Sequence, residues 1–235
     1  MALHLQRQID RLKRMILKVG ALAEESVEAA IRAVEQRDPV LARRVIQDDN
    51  KVDAMEIDVE EECLHTLACD QPVAQDLRFV VSVLKINSDL ERIADLAVNI
   101  AQQAIFLSEE AKLDNPPLDT SSMAAKVRSM LKRALDALVN IDLEMANSVR
   151  QTDDVVDRMH REAYDAVAAA IRQQPHRAEQ ILHYLSISRQ LERIADHTTN
   201  IAEDVVYMAT GAIPRHRHQG QNSNGTGNAE PRAAR

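Results

Sequence analysis

The sequence predicts an all-α protein: two tandem, pseudo-symmetric antiparallel three-helix bundles. Three observations carry that expectation. Aromatic residues make up only 2% of the 235 positions and Trp is absent, so Leu, Ile, Val, Ala and Met must fill a core drawn from 45% hydrophobic residues. That composition suits close-packed helices better than strands, which favour β-branched and aromatic side chains. Four of the five glycines (Gly211, Gly220, Gly225, Gly227) lie in the last 25 residues, leaving Gly20 alone before them. Without residues suited to positive φ, the tight turns of a β-rich fold are hard to build. Finally, DLERIADLAVNIAQ (89–102) and QLERIADHTTNIAE (190–203) are identical at nine of fourteen positions, so one helical phrase is written twice.

The prolines punctuate the chain. Pro39, Pro72, Pro116, Pro117, Pro175 and Pro214 separate long Pro-free runs, and reading between them gives helices near 4–37, 39–70, 73–112, 119–140, 143–173 and 176–209. The first pair of runs carries Asp38-x-x-x-Ala42-x-x-Val45, which recurs as Asp142-x-x-x-Ala146-x-x-Val149. The third run has a 3/4 apolar seam: Phe79, Val83, Ile86, Leu90, Ile93, Ala97, Ile100, Ala104, Leu107. The sixth repeats it in phase with Tyr184, Ile187, Leu191, Ile194, Thr198, Ile201, Val205 and Met208. Such seams interlock long, nearly parallel or antiparallel helices. We therefore expect a first bundle over 1–113, a second over 119–210 joined through LDNPPLDTSS (113–122), and a disordered tail over 211–235. Helix three is apolar almost all round near Leu77, Phe79, Val80, Val81, Val83 and Leu84. That surplus suits either a homodimer face or packing between the bundles.

Charge excludes several function classes. The formal net charge is −8, although the tail from Pro214 has four arginines against one glutamate, so the body is more acidic still. An acidic body disfavours nucleic acid and anionic lipid. The tail's HRH could make at most a weak metal or anion contact. No apolar run approaches the ~20 residues of a membrane span, and no signal-peptide pattern opens the chain. Cys63 and Cys69 do not form a CxxC. A cytoplasmic protein with reduced thiols is expected.

The repeated acids are the candidate site. Asp-x-x-Val-Asp occurs at Asp49–Asp53 and Asp153–Asp157, and Glu-x-x-x-Asp at Glu91–Asp95 and Glu192–Asp196. In each copy the two motifs lie about twenty residues either side of a proline turn, roughly 30 Å along each leg at 1.5 Å per residue. They should therefore face each other across one hairpin. Their angular offset from the seams puts them on a bundle flank, open to water. A solvated face would ordinarily offer Lys or Arg at i±3 or i±4. Asp49, Asp53 and Glu91 have none, and Asp95 has only Arg92. Four like-charged i,i+4 pairs cost roughly 1–2 kcal/mol in all; repeating that cost favours a bound cation. The first set is expected to be the better site, because Arg150, Arg161, Arg189 and Arg193 stand near the second. All-carboxylate ligation, with Asn99 and Asn200 as amide helpers, suits Mg²⁺, Mn²⁺, Ca²⁺ or iron, and Zn²⁺ less.

Two enzymatic or transfer readings compete. Glu62-x-x-His65 supplies half of what a carboxylate-bridged di-metal, ferritin-like enzyme needs, but no second Glu-x-x-His occurs in the repeated copy. His197 follows Asp196 and could suggest histidine phosphotransfer, yet its counterpart in the first copy is Leu96. No Gly-rich phosphate loop, Ser-His-Asp pattern or nucleotide fingerprint is present, so no catalytic residues are assigned.

Over about residues 5–209, DLRFVVSVLKINSDLERIAD (76–95), LERIADHTTNIAE (191–203) and the Asp-x-x-Val-Asp motifs resemble the PhoU family, which accompanies the bacterial phosphate-specific transporter. The resemblance implies two three-helix bundles, a cytoplasmic and often dimeric protein, and surface metal clusters at the acid motifs. Carried onto this sequence, those ligands are Asp49, Asp53, Glu91, Asp95, Asp153, Asp157, Glu192 and Asp196. It also implies inhibitory signalling through contact with the transporter ATPase and a sensor histidine kinase. Ala94 and Ala195 depart from the family's usual Gly beside each motif, where an added methyl would restrict the approach of a metal bridge or a helix.

Overall fold

The computed structural model describes residues 2–113 and 115–212. Among them are six long helices and no strand: α1 Ala2–Gln36, α2 Pro39–Asp70, α3 Ala74–Glu109, α4 Thr120–Asn140, α5 Leu143–Gln173 and α6 Ala178–Thr210. The tail beyond residue 212, with its HRH, lies outside the described residues.

The expected helices and the observed ones agree within a few residues, and the differences have local causes. The run expected over 73–112 stops at Glu109, where Glu110 turns extended. The carbonyls freed there are bonded by other elements: Arg37 Nη2 donates to Glu110 O at 2.9 Å, and Gln180 Nε2 to Ala111 O at 2.8 Å. The sixth run opens with a 3₁₀ turn over Pro175–Arg177 before α6 begins.

The repeat is visible in the turns. Arg37 and Ile141, 104 positions apart, both adopt positive φ (54° and 51°) at the end of the first helix of their copy. The next amide closes back in each case, Asp38 N to Ala33 O and Asp142 N to Ala137 O, both at 3.0 Å. This is the Schellman pattern that satisfies the last helical carbonyls. Asp38 then caps α2 by accepting from Val40 N and Leu41 N, and Asp142 caps α5 by accepting from Met145 N. The recurring Asp-x-x-x-Ala-x-x-Val is thus a cap followed by two core positions: Ala42, Val45, Ala146 and Val149 are all buried.

Helices α1, α2 and α3 pack on one another, as do α4, α5 and α6; the two triplets meet through α3 against α6 and α1 against α4. One continuous apolar core runs through both triplets, from Leu12 and Ile16 through Ile86, Leu90 and Ile93 to Met130, Leu131, Leu191 and Ile194. All nine seam positions of α3 are buried, and of the eight in α6 only Tyr184 is half-buried. The apolar surplus of α3 therefore goes largely inward, with Val80 and Val83 fully buried, while Leu77 is exposed. Gly20 sets the spacing of α1 and α4. A Cβ there would lie 2.6 Å from Leu135 Cδ2, so the missing side chain admits the leucine.

Candidate metal centre on the helix flanks

Each acid motif stands beside the buried stripe of its helix. Val52 and Val156, inside the two Asp-x-x-Val-Asp motifs, are buried, which leaves Asp49, Asp153 and Asp157 at the partly covered margin and Asp53 exposed. Glu91 and Glu192 are likewise half-buried, beside the seam leucines Leu90 and Leu191. Hairpin symmetry then brings the motifs of each copy to the same height.

The second set converges tightly. Asp153 and Asp157 from α5 and Asp196 from α6 each offer an oxygen, and the three oxygens lie within 4.8 Å of one another. Burial, reinforced by repulsion from Asp196 and Asp157, pushes the Asp153 carboxyl up to about 7. Asp196, on the exposed edge of the trio, is pushed up to about 6 by the helix surface around it and then by Glu192 and Asp157. Glu192 is raised by burial and then by Asp157, with Arg189 and Arg193 opposing. Asp153 Oδ1 is buried, and the Thr199 side chain opposes the rise of this carboxyl. A carboxylate so placed, beside two other acids, favours a proton or a positive charge.

The first set faces across its hairpin but does not close. Asp49 is pushed up to about 6 by burial and then by Asp53 and Asp95. Glu91 is raised by burial and by Asp95, with Asp53 and Glu56 also contributing. Arg92 pairs with two of these acids: its guanidinium lies 2.9 Å from Asp95 Oδ2 and 3.4 Å from Glu91 Oε2. Among the described residues, only the second set gathers three acids within ligating distance. The tighter geometry thus lies in the second set, whereas the first was expected to be the better site. Spacing at i±3 and i±4 missed that Arg92 reaches its immediate neighbour Glu91. In the second copy Arg150 turns 3.6 Å from Glu203, and Arg161 stands 3.7 Å from Asp157 at the exposed edge.

Other sequence candidates fall differently. Asn200 donates to Asp89 Oδ1 at 3.2 Å, so its amide nitrogen is directed to that carboxylate. His197 Nδ1 lies 2.8 Å from the same oxygen. Glu62 pairs with Arg11 at 2.9 Å and His65 is exposed, so the lone Glu-x-x-His builds no centre with the flank acids. Ala94 and Ala195 are buried in the core, so their methyls face packing. Burial pushes the Cys63 thiol up to about 12, while Cys69 is exposed. Sequence reasoning missed Glu56, whose carboxyl burial, Glu60 and Asp53 raise on the first flank; its position three after Asp53 was the available signal.

Oxygen-only donors of this kind fit hard cations, and three of them within 4.8 Å of one another fit ligation. Two fused three-helix bundles with an acid motif repeated on each outer hairpin define a class of duplicated helical scaffolds, and among the described residues no helix is long and apolar enough to cross a membrane.

The comparisons give that class its family. The PhoU domain matches the chain twice, over residues 16–104 and 120–205, and the chain belongs to the PhoU family. It is 35% identical over 209 residues to the phosphate-specific transport system accessory protein PhoU homolog of Pseudomonas aeruginosa, covering 89% of this chain and 86% of that protein. With PhoU homolog 1 of Thermotoga maritima it shares 34% identity over 208 residues, covering 88% and 90%. The crystal structure of PhoU from Pseudomonas aeruginosa superposes with a TM-score of 0.85 at 35% identity, over 88% of this chain and 99% of that one. For the phosphate transport system regulatory protein PhoU from Streptococcus pneumoniae the TM-score is 0.79 at 28% identity, over 89% and 98%.

Proposed function

We propose that this protein is a cytoplasmic regulator of phosphate uptake and of phosphate-starvation signalling. It acts as a homodimer by contact with the phosphate transporter ATPase and a sensor histidine kinase, restraining both when phosphate is plentiful. The observation that carries this reading is the duplicated PhoU domain, in a chain whose relatives are named accessory proteins of phosphate-specific transport. No catalytic step is assigned to it.

A hard divalent cation or iron belongs to the same reading. Asp153, Asp157 and Asp196 would hold it, with Glu192 beside them; Asp49, Asp53, Glu91 and Asp95 would form a second, weaker position once Arg92 moves aside. When bound, the cation supplies positive charge and open coordination positions for a partner's carboxylate or phosphate. The protein's own part is to hold the acids at one height on two rigid helices and to keep Asp153 partly out of water.

Deleting the protein in phosphate-replete cells should switch a phosphate-starvation reporter from off to on, and the wild-type chain should restore silence. An unchanged reporter would contradict the regulatory role. Co-purification with the transporter ATPase and the kinase, lost when either partner is deleted, tests the contacts. Light scattering of the purified chain tests the dimer.

A further inference from the structure

The groove between α4 and α5 uses a different face of α5 from the acid trio. It is open, about 360 Å³, and lined by Ser122, Ala125, Lys126, Ser129 and Arg133 of α4 and Thr152 of α5. Ser122, Lys126, Ser129 and Arg133 fall at i, i+4, i+7 and i+11, one stripe of the helix. No carboxylate lines this groove, although the chain's net charge is −8.

Arg133 is held in place by neutral acceptors. It donates to Ser148 Oγ at 3.2 Å, to Thr152 Oγ1 at 3.0 Å and to Ser129 O at 3.2 Å. A guanidinium has five N–H groups, so two remain for a ligand, and the planar fork suits a tetrahedral oxyanion. Among the described residues, neither Arg133 nor Lys126 forms an ion pair with a carboxylate.

The first repeat provides an internal control. Its equivalent groove, between α1 and α2, is about 140 Å³ and is lined by Glu25 and Asp48 where the second repeat has Ser129 and Thr152. Asp48 there holds Lys51 at 2.7 Å and Arg44 at 3.5 Å, so a carboxylate already occupies two of that groove's cations. Leu22 and Ala29 stand where the second repeat has Lys126 and Arg133. At these four positions the second repeat removes two acids and adds two cations, while Arg32, Arg44 and Lys51 of the first groove give way to Asp136, Ser148 and Val155. What distinguishes the second groove is two cations with no carboxylate in its lining.

We propose that the α4–α5 groove binds a tetrahedral oxyanion, phosphate either free or as the phosphoryl group of a nucleotide. Arg133 and Lys126 supply the charge, the hydroxyls of Ser122 and Ser129 supply donors around it, and Thr152, whose own proton goes to Ser148 O, holds Arg133 in place. The inference does not rest on the metal reading. The test therefore uses the full chain after chelator treatment, so that no flank cation can recruit phosphate.

Titration with inorganic phosphate, followed by ³¹P NMR and calorimetry, should give saturable binding of one phosphate per chain. Sulfate should compete, and chloride at equal ionic strength should not. Arg133→Gln and Lys126→Gln should each weaken binding by about tenfold. Arg44→Gln, an equal charge change in the sibling groove, should leave it unchanged. An ATP arm identifies the source: tighter binding of ATP through the same residues assigns the groove to a phosphoryl group, and weaker binding to free phosphate. Absent saturation overturns the proposal, as does an equal loss in Arg44→Gln, which would reduce the effect to net charge. Circular dichroism confirms that each variant is folded.

Discussion

Asp89 of α3 accepts a hydrogen bond from His197 Nδ1 of α6 at 2.8 Å and a second from Asn200 Nδ2 at 3.2 Å. An ionised carboxylate only accepts, so the imidazole carries its proton on Nδ1. The clamp joins the two repeats and exists on one side only. At the pseudo-symmetric positions stand Gln190, whose Oε1 is buried without a partner, and the buried Leu96.

Removing the carboxylate should therefore loosen the inter-bundle contact. Asp89→Ala leaves two half-buried donors unpaired and should cost about 1–3 kcal/mol. Urea unfolding measures it, and Asp89→Asn should retain part of the stability because its amide oxygen still accepts.

The close approach of α1 and α4 predicts a steric pair. Gly20→Val places atoms where Leu135 Cδ2 now sits and should destabilise by about 1–3 kcal/mol. Leu135→Ala in the same chain should recover a large share of that loss. A double-mutant cycle in denaturant checks the coupling.

Ile141 ends α4 at φ 51°, a conformation that a β-branched residue adopts only with strain. Its side chain is also exposed. Ile141→Gly should raise stability by about 0.5–1 kcal/mol, seen as a higher melting temperature, whereas a glycine in mid-helix would lower it.

The fold was legible because the seams, the proline turns and the repeat agreed with one another. The Asp-x-x-x-Ala-x-x-Val phrase was legible as a repeat but not as a cap with two core positions. The height of the acids followed from counting along the hairpins. Which set closes did not, because helical spacing does not fix the rotamers of the acids or of the arginines beside them. The Asp89 clamp is not legible in what the two phrases share. It lies at positions where they differ, Asp89 against Gln190 and Leu96 against His197.

The raised carboxyls give a signed pH dependence. Asp153, Asp196 and Asp49 titrate near 7, 6 and 6 in the folded chain, against about 3.9 unfolded. Between these limits the folded state binds more protons, so metal-free stability should fall as pH rises from about 4 to 7. Thermal melts in chelator check this. Cation affinity should run the other way, weakening as pH drops below about 7 because Asp153 and Asp196 must release protons to bind.

The most direct measurement is Mn²⁺ uptake by chelator-treated protein, followed by the electron paramagnetic resonance of the free ion. The account predicts saturable uptake by the wild type, loss of at least about tenfold in affinity in Asp153→Asn with Asp196→Asn, and a smaller loss in Asp49→Asn with Glu91→Gln. Wild-type affinity retained in the first of these variants would contradict it.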